Sequence, residues 1–200
     1  MKYPKSIENL INQFCRLPAV GPKTAERYAF HLLKKTPEEL KEFGLAIAML
    51  KANIAVCPNC LNIIENKICP ICSDAKRDYT KLCVVADTRD MAAIEGTNSF
   101  KGYYHVLGGE INAIEGITPT GLNIKPLVAK LKSGKIKEII LGLNPTLEGE
   151  TTAMYLSKLI KANFPAIKIT RLARGLPMGS SVEYADELTL ANSLKFRNEI

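Results

Sequence analysis

Apolar residues recur along this chain with a helical period up to about the middle cysteines, and in a strand-and-helix alternation after them. Ile7, Leu10, Ile11 and Phe14 fall at i, i+3, i+4 and i+7, which predicts an amphipathic helix capped by Ser6 and ending near Cys15-Arg16. Leu17-Pro18-Ala19-Val20-Gly21 reads as a turn, and Pro22 suits the first position of a new helix. That helix is expected from Lys23 to about Lys35. Ala25, Tyr28, Ala29 and Leu32 share one face, and Lys23, Arg27, His31 and Lys34 line another. Thr36-Pro37-Glu38-Glu39 starts a third helix, with a Thr cap, Pro first and Glu39 at the capping-box position. Its Leu40, Phe43, Ile47, Leu50 and Ile54 repeat at threes and fours, as core or as a seam for a second copy.

In the second part, Leu82-Cys83-Val84-Val85-Ala86 is a continuous apolar run, as expected of a buried parallel strand. Thr88 to Glu95 reads as a helix, Tyr103 to Leu107 as a strand ending at Gly108-Gly109, and Leu122 to Leu131 as a helix. Glu138 to Leu141 is a strand. Glu148 to Ala162 is a long amphipathic helix with Met154, Leu156, Leu159 and Ile160 inward, and Ile167 to Leu172 is a further strand. The alternation predicts an α/β fold with a mainly parallel sheet flanked by helices and right-handed crossovers. Ligand and partner sites belong at the carboxyl ends of its strands. Those ends are Ala86-Asp87, Gly108-Gly109, the loop Gly142 to Gly149, and Arg174-Gly175.

Between the two parts lies Cys57-Pro-Asn-Cys60 … Cys69-Pro-Ile-Cys72. Two Cys-x-x-Cys turns facing each other make a tetrahedral S₄ cage, which suits Zn²⁺ and leaves no open position for a substrate. The segment is too short to bury a core of its own, so the ion would supply its folding energy. The rival readings are two disulfides, which need an oxidising compartment, or a redox-active dithiol, which needs only one pair at a helix start. Met1-Lys2-Tyr3-Pro4-Lys5 does not resemble a secretory signal, so a cytoplasmic location is expected. Cys15 and Cys83 read as small buried apolar residues.

Composition adds a partner. The chain of 200 residues has room for one medium domain or two small ones, and no apolar run is long enough to span a membrane. The formal net charge is +7 and is unevenly placed: residues 1–35 hold seven Lys and Arg against two Glu. A basic N-terminal element on a nearly balanced body suggests a polyanion, most often nucleic acid; a solvated basic face is the alternative. Free N–H groups at the start of the second helix, next to Lys23 and Arg27, can accept a phosphate.

The two helices and their Gly-containing turn resemble a helix-hairpin-helix, the DNA-binding motif whose hairpin reads Leu-Pro-Gly-(apolar)-Gly, here with Ala19 for the first glycine. A plain helical hairpin used for packing or dimerisation is the rival. The loop Asn144-Pro145-Thr146-Leu147-Glu148-Gly149-Glu150 resembles the acidic signature of the Toprim fold. Catalytic Toprim domains carry Asp-x-Asp there and a Glu at the end of the first strand, which hold Mg²⁺ for phosphoryl transfer. Here those positions are Asn144, Thr146 and Ala86, leaving Asp87, Glu148 and Glu150. Catalysis is not expected.

The ordered set is similar to the bacterial RecR recombination mediator family over essentially the whole chain. It comprises the hairpin Leu17 to Lys23, the four cysteines, Tyr104-His105-Val106-Leu107-Gly108-Gly109 and the 144–150 loop. Arg171-Leu172-Ala173-Arg174-Gly175-Leu176-Pro177 and Glu183-Tyr184-Ala185-Asp186 complete it. The resemblance implies a helix-hairpin-helix domain (1–54), a C4 zinc finger (55–76), a Toprim domain (80–175) and a C-terminal docking segment (176–200). It implies a non-enzymatic DNA-repair protein, a ring-shaped tetramer or dimer, associated with the nucleoid. Such a protein works with RecO and RecF to load RecA onto single-stranded DNA covered by single-strand-binding protein, at gaps. Lys23 and Arg27 carry over as DNA contacts, Cys57, Cys60, Cys69 and Cys72 as zinc ligands, and Glu148 and Glu150 as a surface for RecO. The segment Glu183 to Ala191 carries over as the element that docks on a neighbouring subunit. The alternatives are a Mg-dependent Toprim nuclease or topoisomerase-like enzyme, and a zinc-stapled module without a nucleic acid partner.

Overall fold

The structure is a computed structural model that describes residues 3–65, 67–197 and 199. The chain divides into two compact units, Met1–Ile54 and Ala55–Ile200.

The first unit holds three helices: α1 (Lys5–Phe14), α2 (Pro22–Leu32) and α3 (Pro37–Met49). Pro4, not Ser6, precedes α1; its carbonyl accepts the Ile7 and Glu8 N–H groups at 2.9 and 3.1 Å, and no side chain caps the helix. Ser6 already lies in the first turn, because proline's fixed φ suits the boundary position one residue before Lys5. Helix α2 begins at Pro22 as expected but stops at Leu32, short of Lys35. The Lys34 and Lys35 N–H groups bond three residues back, to His31 and Leu32, which tightens the chain into the Thr36 cap. Lys34 therefore lies outside the helix.

Ala25 and Ala29 are the buried positions of α2, and their small side chains let the α1–α2 pair close. Tyr28, expected on the same face, is half exposed and packs edge-on against Phe14 at 5.7 Å. Helix α3 has the expected capping box, Thr36 Oγ1 accepting the Glu39 N–H at 3.3 Å and Glu39 Oε2 the Thr36 N–H at 2.9 Å. None of its residues is buried. Leu40, Phe43, Ile47 and Leu50 are all exposed, so within one chain they are not core.

The second unit opens with a two-stranded sheet, β1 (Ile54–Val56) and β2 (Ile63–Glu65), that carries the cysteine turns. It continues as β3 (Asp78–Val85), α4 (Thr88–Gly96), β4 (Gly102–Val106), α5 (Ile124–Leu131), β5 (Glu138–Gly142), α6 (Leu147–Asn163), β6 (Lys168–Arg171) and α7 (Glu187–Lys195). The four strands β3 to β6 form one sheet in the order β4-β3-β5-β6, with every pairing parallel. This is the α/β architecture that the alternation predicts. Strand β3 starts four residues before the apolar run, since Asp78 pairs with Gly102 across an irregularity that the hydrophobic pattern does not register.

Both faces of the sheet are covered, which is why β3 is apolar at consecutive positions. Leu82 and Val84 point to a core with Leu127 and Leu131 of α5 and Leu156 and Ile160 of α6. Cys83 and Val85 point to a second core with Met91 of α4, Tyr104 and Val106 of β4, and the cysteine segment itself. In α6 the buried positions are Gly149, Thr152, Ala153, Leu156 and Ile160; Leu159 is partly buried as expected, but Met154 is 72% exposed. Met154 sits two residues from both Thr152 and Leu156, on the opposite side of the helix from the stripe they define.

His105 of β4 is fully buried, and its Nε2 lies 2.8 Å from the Asn123 carbonyl oxygen, to which it donates when neutral. Its Nδ1 has no partner among the described residues, and burial, with Lys130 adding to it, holds the imidazole down at about 4. The unfolded chain takes up that proton at about 6.5, so it binds protons first as pH falls. Stability should therefore be complete above about pH 6.5 and decline by about 3 kcal/mol toward pH 4. Denaturant titrations of wild type and His105→Gln across that window test this: the decline should be absent from the variant.

Candidate metal centre and nucleic-acid interface

The sequence folds the two Cys-x-x-Cys turns toward each other by local means. The Cys57 N–H reaches the Asn62 carbonyl at 2.8 Å and the Leu61 N–H returns to the Cys57 carbonyl at 3.0 Å, with Leu61 at φ +64°. In the second turn the Ser73 N–H bonds to the Cys69 carbonyl at 3.0 Å. The four sulfurs of Cys57, Cys60, Cys69 and Cys72 come within 4.8 Å of one another, the only such cluster of ligating side chains among the described residues. Cys57 and Cys72 are 3.9 Å apart and Cys60 and Cys69 3.6 Å, with no disulfide formed. A tetrahedral ion with metal–sulfur bonds of about 2.3 Å sets its sulfurs ~3.8 Å apart.

Within the donor set one thiol ionises readily and two resist it. Hydrogen bonds from the Cys72 thiol, the Asn62 N–H and the other two thiols pull Cys60 down to about 5. Burial pushes Cys69 up, and the hydrogen bond to the Cys60 thiolate pushes Cys72 up, because a second negative charge there would stand unscreened beside the first. A divalent ion would let all four ionise. Cys83 lies apart in the core, with burial alone raising its thiol to about 12, and is an inert apolar residue as expected. Cys15 is only half buried.

The cage is bonded to the sheet. The Val106 N–H at the β4 edge donates to the Cys60 carbonyl at 2.8 Å, and Lys130 of α5 donates to the Asn59 carbonyl at 2.7 Å. Where the chain leaves the cage, the buried Arg77 guanidinium meets the Glu95 carboxylate and donates to the Gly102 carbonyl at 3.0 Å. Tyr104 Oη donates to the same carboxylate at 2.9 Å.

In the first unit, Ala19 adopts φ +60°, so the hairpin keeps its glycine-type conformation despite the β-carbon. The Val20 N–H closes the turn on the Leu17 carbonyl at 3.2 Å. Gly21 precedes Pro22 as an uncapped N-terminal boundary, so the first N–H groups of α2 have no side-chain acceptor. Lys23 is 98% exposed there, at 3.9 Å from Glu26, and Arg27 is exposed one turn on, its guanidinium 5.9 Å from the Tyr28 ring.

At the carboxyl ends of the strands the acids are occupied by the protein itself. Asp87 caps α4, accepting the Arg89 and Asp90 N–H groups at 2.6 and 3.1 Å, and takes the Arg89 guanidinium on its other oxygen, which holds its carboxyl low. Glu150 is bound by Arg171 at 3.2 Å and by Arg174. Gly149 has no room for a side chain, since a β-carbon would fall 2.0 Å from the Asn144 carbonyl. Glu148 makes no ion pair among the described residues. Sequence reasoning did not single out Glu110, although it follows the strand-end Gly108-Gly109. Its carboxylate accepts the Asn144 N–H at 3.3 Å and lies 3.5 Å from Thr146 Oγ1. The neutral residues at the two Asp positions thus serve as donors to a carboxylate. Arg171 and Arg174 were legible only as parts of a motif, not as the partners of Glu150.

A four-cysteine metal cluster, a helix-hairpin-helix and a Toprim domain define a protein of DNA recombination and repair. Family models match in the same order: RecR helix-hairpin-helix over residues 7–52, Toprim domain over 80–173 and RecR C-terminal over 175–198. The chain is 46% identical over 200 residues to recombination protein RecR of Staphylococcus aureus (strain MRSA252), covering all of both chains. It is 47% identical over 194 residues to that of Gloeothece citriformis (strain PCC 7424), covering 97% of this chain and 96% of the relative. The chain belongs to the RecR recombination protein family. No helix among the described residues is long and apolar enough to cross a membrane.

Because the cage is part of the second core, loss of a metal held there should damage the sheet and not only the finger. Cys57→Ala, or a strong chelator, should bring bound metal to none and cost several kcal/mol of stability. Hydrogen exchange should show the Val106 amide losing its protection; an unchanged Val106 with no metal bound would disprove the coupling.

Proposed function

We propose that this protein is a non-catalytic recombination mediator that binds DNA through the α1–α2 hairpin and carries one structural Zn²⁺ on Cys57, Cys60, Cys69 and Cys72. It acts with RecO and RecF at gaps, helping load RecA onto DNA covered by single-strand-binding protein. The observation that carries this reading is the hairpin: a left-handed Ala19, an uncapped α2 N-terminus and the exposed cations Lys23 and Arg27 together make a phosphate site. Zinc is favoured by four cysteine sulfurs within 4.8 Å of one another, two pairs of them at 3.9 and 3.6 Å, with no carboxylate or imidazole in the cluster.

The degenerate Toprim edge serves as a partner surface. Glu148 is the carboxylate left free for a basic partner such as RecO, and Glu150 joins it where Arg171 and Arg174 yield. With Asp87, Glu110 and Glu150 each satisfied internally, the enzyme reading has no open carboxylate cluster to support it. The exposed apolar positions of α3 are the seam for a second copy, in a dimer or tetramer ring. The organisation we assign is a hairpin domain (1–54), a zinc finger (55–76), a Toprim domain (80–175) and a C-terminal docking segment (176–200), in a cytoplasmic, nucleoid-associated protein.

Two measurements test this. Lys23→Glu with Arg27→Glu should cut affinity for labelled gapped DNA by at least about ten-fold at low salt, while zinc content and circular dichroism stay unchanged. Equal affinity would remove the phosphate assignment. Glu148→Lys should weaken RecO binding by about ten-fold without altering DNA affinity, read by calorimetry and anisotropy.

A further inference from the structure

The lysines that the hairpin reading leaves unused gather on the second unit. Lys130, Lys132, Lys135 and Lys137 lie within eight residues, where the chain passes from α5 into β5. This is the amino-terminal edge of the parallel sheet, opposite the edge that carries Asp87, Glu110 and Glu150. The nearest acids along these strands are engaged: Glu138 with Lys168 at 3.8 Å and Thr170 at 3.0 Å, and Asp78 with Lys81 at 3.3 Å. Lys132, Lys135 and Lys137 are exposed and have no acidic partner among the described residues.

Beside them is a cavity of about 360 Å³ between the cysteine finger and the sheet. Its walls include Tyr79, Tyr103, Leu82, Ile136, Lys135 and the finger's Asn59, and no carboxylate lines it. Small-ligand sites start at about 300 Å³, which leaves room for one base and its sugar. Tyr79 stands at the rim, 64% exposed, at the start of β3; its neighbour Thr80 offers its carbonyl to the Lys137 N–H at 2.8 Å. A cationic track beside an exposed aromatic ring and a base-sized hollow is the arrangement that holds an unpaired strand.

We infer that this edge is a second nucleic-acid site, which takes single-stranded DNA, with phosphates on Lys132, Lys135 and Lys137 and one unstacked base against Tyr79. A duplex is excluded from the hollow because its bases stay stacked. The site stands on residues separate from the hairpin.

The test uses the full, metal-loaded chain and a labelled oligo-dT, with anisotropy read over a range of salt. Three variants are compared with wild type: Lys132→Glu/Lys135→Glu/Lys137→Glu, Tyr79→Ala, and Lys23→Glu/Arg27→Glu. Loss of three phosphate contacts should lower the slope of log affinity against log salt by about 2. Tyr79→Ala should lose about ten-fold at every salt with the slope unchanged. An oligonucleotide carrying bromodeoxyuridine should photo-cross-link at Tyr79 in wild type and in the hairpin variant. Unchanged affinity and slope in the lysine variant, or no cross-link near Tyr79, would overturn the site. So would competition by polyglutamate as strong as by oligo-dT at equal charge, since that marks charge alone. The hairpin reading fails on a different result, unchanged binding by the Lys23/Arg27 variant.

Discussion

The docking of the four-cysteine finger on the edge of the parallel sheet is the interaction on which the second unit depends. A sheet edge left open is a row of unpaired donors and acceptors. At the β4 edge the Cys60 carbonyl takes up the Val106 N–H, and the Cys57, Cys60 and Cys69 side chains join Cys83, Val85 and Tyr104 in one core. The finger, which also buries Ile64 and Ile71 in that core, thus stabilises a strand it does not belong to. An ion held by the four thiols would therefore act beyond them, through backbone hydrogen bonds and through packing.

Arg77 adds an electrostatic tie at the point where the finger ends. Its guanidinium is nearly buried, and the Glu95 carboxylate beside it favours the charged form of both groups. Tyr104 completes the carboxylate's shell, and burial with that negative charge raises its phenol out of the ordinary range. The Arg77 terminal nitrogens reach Glu95 and the Gly102 carbonyl, while its buried Nε has only the charge of Asp74 at 3.7 Å.

The sheet's two edges have opposite electrostatics. At the carboxyl ends Asp87, Glu110 and Glu150 are each taken up by a helix N-terminus, an amide or an arginine. A Toprim edge becomes a metal site when several carboxylates converge without internal partners. Here the residues at the two Asp positions, Asn144 and Thr146, instead direct donors at Glu110. The same loop, held tight by Gly149, then satisfies Glu110 with neutral donors while Glu150 is paired with Arg171 and Arg174.

Much of this was legible along the chain because it rests on local rules. The α3 capping box, the Pro22 start of α2, the strand and helix order and the cysteine spacing each depend on residues a few positions apart. What misled was also local: Ser6 is a good capping residue beside a proline that takes the boundary instead, and Met154 is apolar on a face that meets no core. Tertiary structure alone decided the rest. The partners of Glu110 and Glu150 come from loops 34 and 24 residues away, and the finger meets β4 across a gap in sequence of 46 residues, Cys60 to Val106. Such contacts carry no periodicity of their own. They follow from how a parallel sheet brings the ends of non-adjacent strands side by side, and no local propensity encodes that.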